Sequence, residues 1–248
     1  EINHVEFGDL AESSLQNLLY EKYKDVKKII LADEITSEHC LPILLYNISG
    51  LENAEVVVVP AGESSKSLEV AAQLWATFTE YGIKRNDLLI NLGGGVVTDL
   101  GGFVASIYKR GIDFINIPTS LLAMVDASIG GKTGIDFENF KNQLGTFSHP
   151  EKTFINVAFL KSLNPDEFLS GKAEMYKHAL LSNLDLWHKV KDFNAENCDL
   201  EVLKSCVAVK SEIVKKDPKE QNLRKALNLG HTIGHAIESH LLSENVPH

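Results

Sequence analysis

Leu88–Tyr108 reads LLINLGGGVVTDLGGFVASIY, and its three parts set the expected architecture. The apolar run Leu88–Leu92 reads as a buried strand, Gly93, Gly94 and Gly95 interrupt it, and the following stretch reads as a helix. A strand that passes through glycines into a helix offers backbone N–H groups at a helix N-terminus. Glycine lets a phosphate approach them closely. The spacing is not G-x-G-x-x-G, so the ordinary dinucleotide fingerprint is absent, and the run alone suits a phosphate loop and a tight turn equally. Gly101 and Gly102 fall inside the helix and are expected to permit close packing.

Working outward, Lys28–Ala32 (KIILA), Glu55–Val59 (EVVVV), Phe114–Ile117 (FINI) and Phe154–Val157 (FINV) also read as buried strands. Leu68–Tyr81 has helical apolar spacing, with Gly82 as its C-cap. Strands alternating with helices imply a mostly parallel sheet with crossover helices. Beyond Ser162 the pattern changes. Pro165–Leu181, Leu186–Val190, Leu200–Lys215 and Leu223–Leu242 read as helices, Asn164 and Pro165 forming a helix start, and no clear strand is found. The expected organisation is an α/β domain over residues 1–160 and an all-helical domain over 161–248. The helical part reaches Val246-Pro247-His248 without a closing element, so it is expected to be partial, with the protein continuing beyond His248.

The 248 residues are 44% hydrophobic and 23% charged, enough to bury a full core. Net charge is −10 and no lysine- or arginine-rich block occurs, which argues against a nucleic-acid partner. No apolar run approaches the roughly 20 residues needed to span a bilayer, and residues 1–10 lack the features of a signal peptide. Cys40, Cys198 and Cys206 are odd in number and form no C-x-x-C pair. They argue against a disulfide framework and a cysteine zinc site, and suit a reducing cytoplasm. In so acidic a chain, an anionic substrate must be met by a local cluster of cations.

Two further loops are expected at the carboxyl ends of strands, where ligands bind in parallel sheets. Ala61–Ser67 (AGESSKS) places Glu63 and Lys66 there, and Pro118–Leu122 (PTSLL) supplies two hydroxyls. In Ala226–Glu238 (ALNLGHTIGHAIE), His231 and His235 are four apart and share a helix face. H-E-x-x-H is absent, so the pair either binds a metal or lines a polar seam. Glu174 lies in Gly171–Leu181 (GKAEMYKHALL), with Lys177 one turn later. A carboxylate and two or three imidazoles with an open position suit a catalytic zinc, or another divalent metal, that acidifies a substrate hydroxyl. Lys177 reads either as a holder of an anionic substrate or as an ordinary surface lysine.

Four segments in order, Gly93–Gly102 (GGGVVTDLGG), Asp126–Thr133 (DASIGGKT), Gly171–Lys177 (GKAEMYK) and Asn228–Glu238 (NLGHTIGHAIE), resemble the 3-dehydroquinate synthase family of sugar phosphate cyclases. The resemblance runs from about Val56 to the last residue. It implies an N-terminal NAD-binding α/β domain, a C-terminal helical domain, an active site between them, and a homodimer. It implies NAD contacts from Asp33, Gly62, Glu63, Lys66, Gly94, Gly95, Val96, Val97, Thr98 and Asp99. Thr119, Ser120, Lys132, Lys141 and the segment Phe159, Leu160, Lys161 and Ser162 would complete them. Metal ligands would fall on Glu174, His231 and His248, with zinc as the metal and cobalt as the alternative. Substrate groups would be Asp126, Lys132, Asn142, Lys177, Lys210, Arg224, Asn228 and His235, the last in proton transfer. Arg110 would reach the phosphate held by a neighbouring subunit. Ser120 and His178 depart from the threonine and tyrosine frequent in the family, and a basic residue that the family supplies near its C-terminus is absent.

The implied reaction converts 3-deoxy-D-arabino-heptulosonate 7-phosphate to 3-dehydroquinate and phosphate, a step of the shikimate pathway in aromatic amino acid biosynthesis. It joins transient oxidation by NAD, phosphate elimination, reduction and an intramolecular aldol. Two other readings stand beside it. One is a metal-dependent polyol dehydrogenase of the glycerol dehydrogenase type, and the other a non-catalytic NAD- or phosphosugar-binding protein.

Overall fold

The computed structural model describes residues 4–10, 13–138, 140–231 and 233–234. Its elements run β1 (Val5–Phe7), α1 (Leu15–Glu21), β2 (Lys28–Asp33), α2 (Glu34–His39), α3 (Leu41–Asn47), β3 (Glu55–Val59), α4 (Leu68–Glu80), β4 (Leu88–Gly93) and α5 (Gly95–Ile107). They continue β5 (Asp113–Pro118), β6 (Lys132–Phe137), β7 (Phe140–Phe147), β8 (Thr153–Ile155), α6 (Pro165–Leu180), α7 (Leu184–Asp192) and α8 (Leu200–Lys216). Six strands form one sheet in the order β1-β8-β5-β4-β2-β3, every described pairing parallel. β6 and β7 form a separate antiparallel hairpin.

The apolar strand runs follow from burial on both faces. Side chains alternate across a strand, so Leu88, Ile90 and Leu92 enter one core while Leu89 enters the other. The first core extends under α1, α3 and α6–α8, and the second lies under α4 and α5. Each fully buried Leu or Ile contributes about 1.5–3 kcal/mol. The expected parallel α/β arrangement followed by helices is therefore present. Ser67 caps α4 by accepting from the Val70 N–H at 3.3 Å, and Gly82 ends it at φ +65°, a left-handed value that favours glycine.

Three expected elements differ. Glu55–Val59 is an edge strand whose Val56 and Val58 are exposed, because it pairs only with β2. The strand at 154 is shorter, and Val157 begins a 3-10 turn, Val157–Ser162, started by the Asn156 side chain accepting from the Ala158 N–H. The helix expected over 223–242 begins as a 3-10 turn, Leu223–Asn228, breaks at Gly230 with φ +86°, and is helical again at His231, Ile233 and Gly234; residues from 235 lie outside the described ones.

The two glycines inside α5 act as packing contacts. A Cβ on Gly101 would overlap the Asn91 carboxamide, which lies in the sheet and donates to Asn116 Oδ1 at 2.9 Å. A Cβ on Gly102 would overlap Thr133 of the hairpin. Gly171 plays the same part for α6: its Cβ would lie 2.5 Å from the Leu122 nitrogen, so α6 rests on the turn that follows β5. Among the described residues no helix is long and apolar enough to cross a membrane.

Candidate active site

The first part of the site forms where β4 meets α5. Gly94 is the N-cap, no side chain caps the helix, and Gly94, Gly95 and Val96 are half-buried. The end of the helix thus keeps N–H groups for an anion. A Cβ at Gly94 would press on Ser120 Oγ at 3.3 Å and crowd the cradle, whereas one at Gly95 would make ordinary contact with Ala127 Cβ at 3.4 Å. Val97 is core, and Thr98 Oγ1 bonds back to the carbonyls of Gly94 and Gly95 at 3.3 and 3.1 Å. The Thr119 N–H donates to Gly93 O at 3.0 Å, and Ser120 Oγ accepts from the Ala123 N–H at 3.2 Å.

The loop after β3 closes on this cradle. Gly62 turns at φ +98°, and the buried Lys66 places Nζ 2.8 Å from Asp99 Oδ2 and 3.9 Å from Glu63 Oε1. Burial works against the Lys66 charge, yet Asp99 and Glu63 raise its pKa above the ordinary value. Burial raises Asp99, with Lys66 offsetting part of that. The hairpin joins here: the Asp136 N–H donates to Lys66 O at 2.7 Å, and Lys141 Nζ lies 4.0 Å from Glu63 Oε1. Asn142, at φ +53°, donates its backbone N–H to Asp136 Oδ1 and is exposed on the same hairpin. Asp33 ends β2 and is occupied as the cap of α2, its Oδ1 accepting from the Thr36 N–H at 2.8 Å. Of the segment at 159–162, Phe159 and Leu160 are core whereas Lys161 and Ser162 are exposed.

The second part centres on Asp126, in a single π-helical turn, Ala123–Ala127, that begins three residues after Ser120. Such turns often mark functional sites. Lys210 of α8 donates to both Asp126 Oδ1 and Asp126 O at 2.7 Å, and Lys177 of α6 lies 3.8 Å from the same Oδ1. Burial alone would raise the Asp126 pKa. Lys210, His178 and Lys177 outweigh it and hold the carboxyl well below its ordinary value. Lys210 is lowered by burial, against the pull of Asp126. The Asp99 carboxyl also feels Lys210, so the glycine cradle and this cluster share one field.

Glu174 lies one turn before Lys177, whose ammonium lies against Glu174 Oε2. The other oxygen, Oε1, lies 4.0 Å from His231 Nε2. A buried carboxylate facing an imidazole supplies donor atoms that suit a divalent cation. His235 and His248 lie outside the described residues.

A third group adjoins the second. Arg224 is buried, donating to Gly130 O at 2.9 Å and Pro218 O at 2.8 Å. Glu220 binds the Lys132 ammonium and accepts from Asn228 Nδ2 at 2.8 Å; burial opposes its charge, but these two partners lower its pKa. Arg110 sits on an exposed turn between α5 and β5, at the end of the strands away from the glycine cradle. Its implied role involves a second subunit.

Glu220 and His178 are the site residues that the sequence reading did not assign. Glu220 lies four residues before Arg224, on a turn at φ +55° with no periodic signature, and only its contacts single it out. His178 directly follows Lys177 and faces Asp126 with Nε2 3.7 Å from Oδ1.

Comparison with known proteins places this geometry. The family model described as 3-dehydroquinate synthase N-terminal matches residues 56–170, and that described as 3-dehydroquinate synthase C-terminal matches residues 171–248. A 3-dehydroquinate synthase of Parabacteroides distasonis is 47% identical over 232 residues, covering 92% of this chain and 65% of that protein. One of Helicobacter pylori is 43% identical over 234 residues, covering 94% of this chain and 65% of its own length. The chain thus spans about two-thirds of the length of these curated relatives. Among solved structures, a 2-epi-5-epi-valiolone synthase from Streptomyces hygroscopicus with NAD+ and Zn2+ bound is 28% identical, with a TM-score of 0.82. It covers 97% of this chain, which covers 69% of it. A 2-deoxy-scyllo-inosose synthase complexed with carbaglucose-6-phosphate, NAD+ and Co2+ shares the fold at a TM-score of 0.81 and 22% identity, over 96% of this chain and 67% of that one. With both family models matched end to end over the glycine cradle, Asp126, Glu174 and the His231 segment, the chain belongs to the 3-dehydroquinate synthase family.

Proposed function

We propose that the whole protein is a cytoplasmic, homodimeric 3-dehydroquinate synthase. Its substrate is 3-deoxy-D-arabino-heptulosonate 7-phosphate, and its products are 3-dehydroquinate and phosphate. The domain division belongs to the proposal: residues 1–160 hold NAD, and the helical part from 161 carries the metal and most substrate groups. The observation that carries the reading is the convergence of Lys177 and Lys210 on Asp126, with Glu174 and His231 beside them and Arg224 nearby. A simple polyol offers no anionic groups for such a cluster, whereas a phosphorylated sugar acid offers two.

When bound, NAD accepts and returns a hydride, and a divalent cation, zinc or cobalt, polarises the substrate hydroxyls. The chain's own residues do the rest. Gly94, Gly95 and Val96 present N–H groups to the pyrophosphate, with Glu63, Lys66, Asp99, Lys141, Thr119 and Ser120 around it. Glu174, His231 and His248 hold the cation. Lys132, Lys177, Lys210 and Arg224 bind carboxylate and phosphate, orienting the carbon chain for elimination and ring closure. Asp126 and Asn228 bind hydroxyls, and His235 moves a proton.

The test uses purified full-length protein with NAD, a divalent cation and the sugar phosphate. The expected result is one inorganic phosphate per ring product, with NAD required in catalytic amount and not consumed. Net NADH accumulation on a simple polyol, without phosphate release, would identify a polyol dehydrogenase instead.

A further inference from the structure

His178 is fully buried on α6, and neither Nδ1 nor Nε2 has a hydrogen-bond partner. Buried polar groups nearly always have one, because an unpaired group forfeits its water without replacement. His178 Nε2 lies 3.7 Å from Asp126 Oδ1. That oxygen has about two lone-pair directions, and three donors surround it: Lys210 at 2.7 Å, His178 at 3.7 Å and Lys177 at 3.8 Å. Lys210 is bonded and the other two stand off.

Asp126, Glu174 and His178 also present ligand atoms within 4.8 Å of one another. Asp126, however, is tied to α8 through two contacts with the Lys210 ammonium, at Oδ1 and at its backbone oxygen. That geometry favours an action of His178 on Asp126.

We infer that His178 is a positioning residue for Asp126, its imidazole N–H becoming the carboxylate's donor when bound substrate draws Lys177 and Lys210 onto its anionic groups. This rests on the proposed function, in which both lysines bind substrate. Closing from 3.7 Å to an ordinary hydrogen bond of about 3.0 Å needs less than a side-chain rotamer change. An imidazole N–H on the carboxylate keeps Asp126 fixed for a substrate hydroxyl while the lysines turn to the substrate's charges.

The test compares H178Q, which retains an N–H donor, with H178L, which does not, in the full-length enzyme. H178Q is expected to stay within about threefold of wild-type kcat. H178L is expected to lose about 10- to 100-fold in kcat, with KM and bound metal unchanged. Equal kcat in the two variants overturns the inference, and so does loss of metal confined to H178L, which would make His178 a ligand. Should H178L fail to fold, 15N NMR of the wild-type imidazole decides. Saturation with 3-dehydroquinate and inorganic phosphate should move the His178 N–H signal downfield, and an unmoved signal overturns the inference. A wild-type enzyme that forms no ring product fails at the earlier step and overturns the proposed function itself.

Discussion

Replacing Asp126 by alanine in the full-length protein is expected to cost about 3 kcal/mol of unfolding free energy. Breaking a buried pair by removing one partner costs roughly 3–5 kcal/mol, because the other charge is left uncompensated. Here the stranded group is Lys210, buried on α8 with Asp126 as its described ion-pair partner. The loss falls at the low end because burial already lowers the Lys210 pKa, so the stranded ammonium can shed its proton. Asp126→Asn keeps an acceptor and should cost less, about 1–2 kcal/mol. The pH dependence has a definite sign. The Asp126 pKa is depressed by folding, so its contribution is complete above the unfolded carboxyl pKa of roughly 3.9 and is lost as pH falls through the folded value. Denaturant titrations of wild type and Asp126→Ala should differ most between about pH 5 and neutral pH and converge as pH falls below that range. A gap that persists undiminished in acid would place the stabilising charge on another group.

The second large effect is expected at Glu174. Glu174→Ala in the full-length protein should lose its stoichiometric divalent metal and about a thousandfold or more in kcat. Removing a cation that polarises the reacting hydroxyl forfeits several kcal/mol of transition-state stabilisation. The substitution also leaves the Lys177 ammonium without the carboxylate against which it rests. Glu174→Gln separates the two effects: it preserves volume and an acceptor oxygen, so folding should survive while metal binding does not. Elemental analysis after dialysis checks this directly. Retention of one metal per chain in Glu174→Ala would remove Glu174 from the ligand set.

The glycine run shows how much of this was legible in the sequence. Strand, glycines and helix at Leu88–Ile107 follow from local chemistry, as do the central strands, whose apolar runs reflect burial on both faces. The hairpin Lys132–Phe147 was not legible. Its strands carry Gly134, Lys141, Asn142 and Gly145, which read as a loop, and they hold their place by pairing with each other and lying across α5. Glu55–Val59 reads as a core strand because valine marks strand propensity, and propensity does not say which strand forms the edge. At the site, Glu174 and Lys177 were legible as residue types at helical spacing, whereas Lys210 was implied only by the family resemblance. The convergence of Lys177, His178 and Lys210 on Asp126 is tertiary, since Asp126 and Lys210 are 84 residues apart. Glu220 was invisible for the same reason: its contacts with Lys132 and Asn228 arise from a turn, and no periodicity marks a turn residue.

A deuterium label follows the hydride through the reaction. Substrate carrying deuterium on the carbon that is transiently oxidised, carbon 5, is turned over by the full-length enzyme with unlabelled NAD, and the ring product is examined by mass and NMR. If the hydride is taken and returned within one turnover, the product keeps its deuterium at that carbon and phosphate is released in equal amount. Deuterium found in free reduced nicotinamide or in water, with an unlabelled product, would contradict the cyclase account.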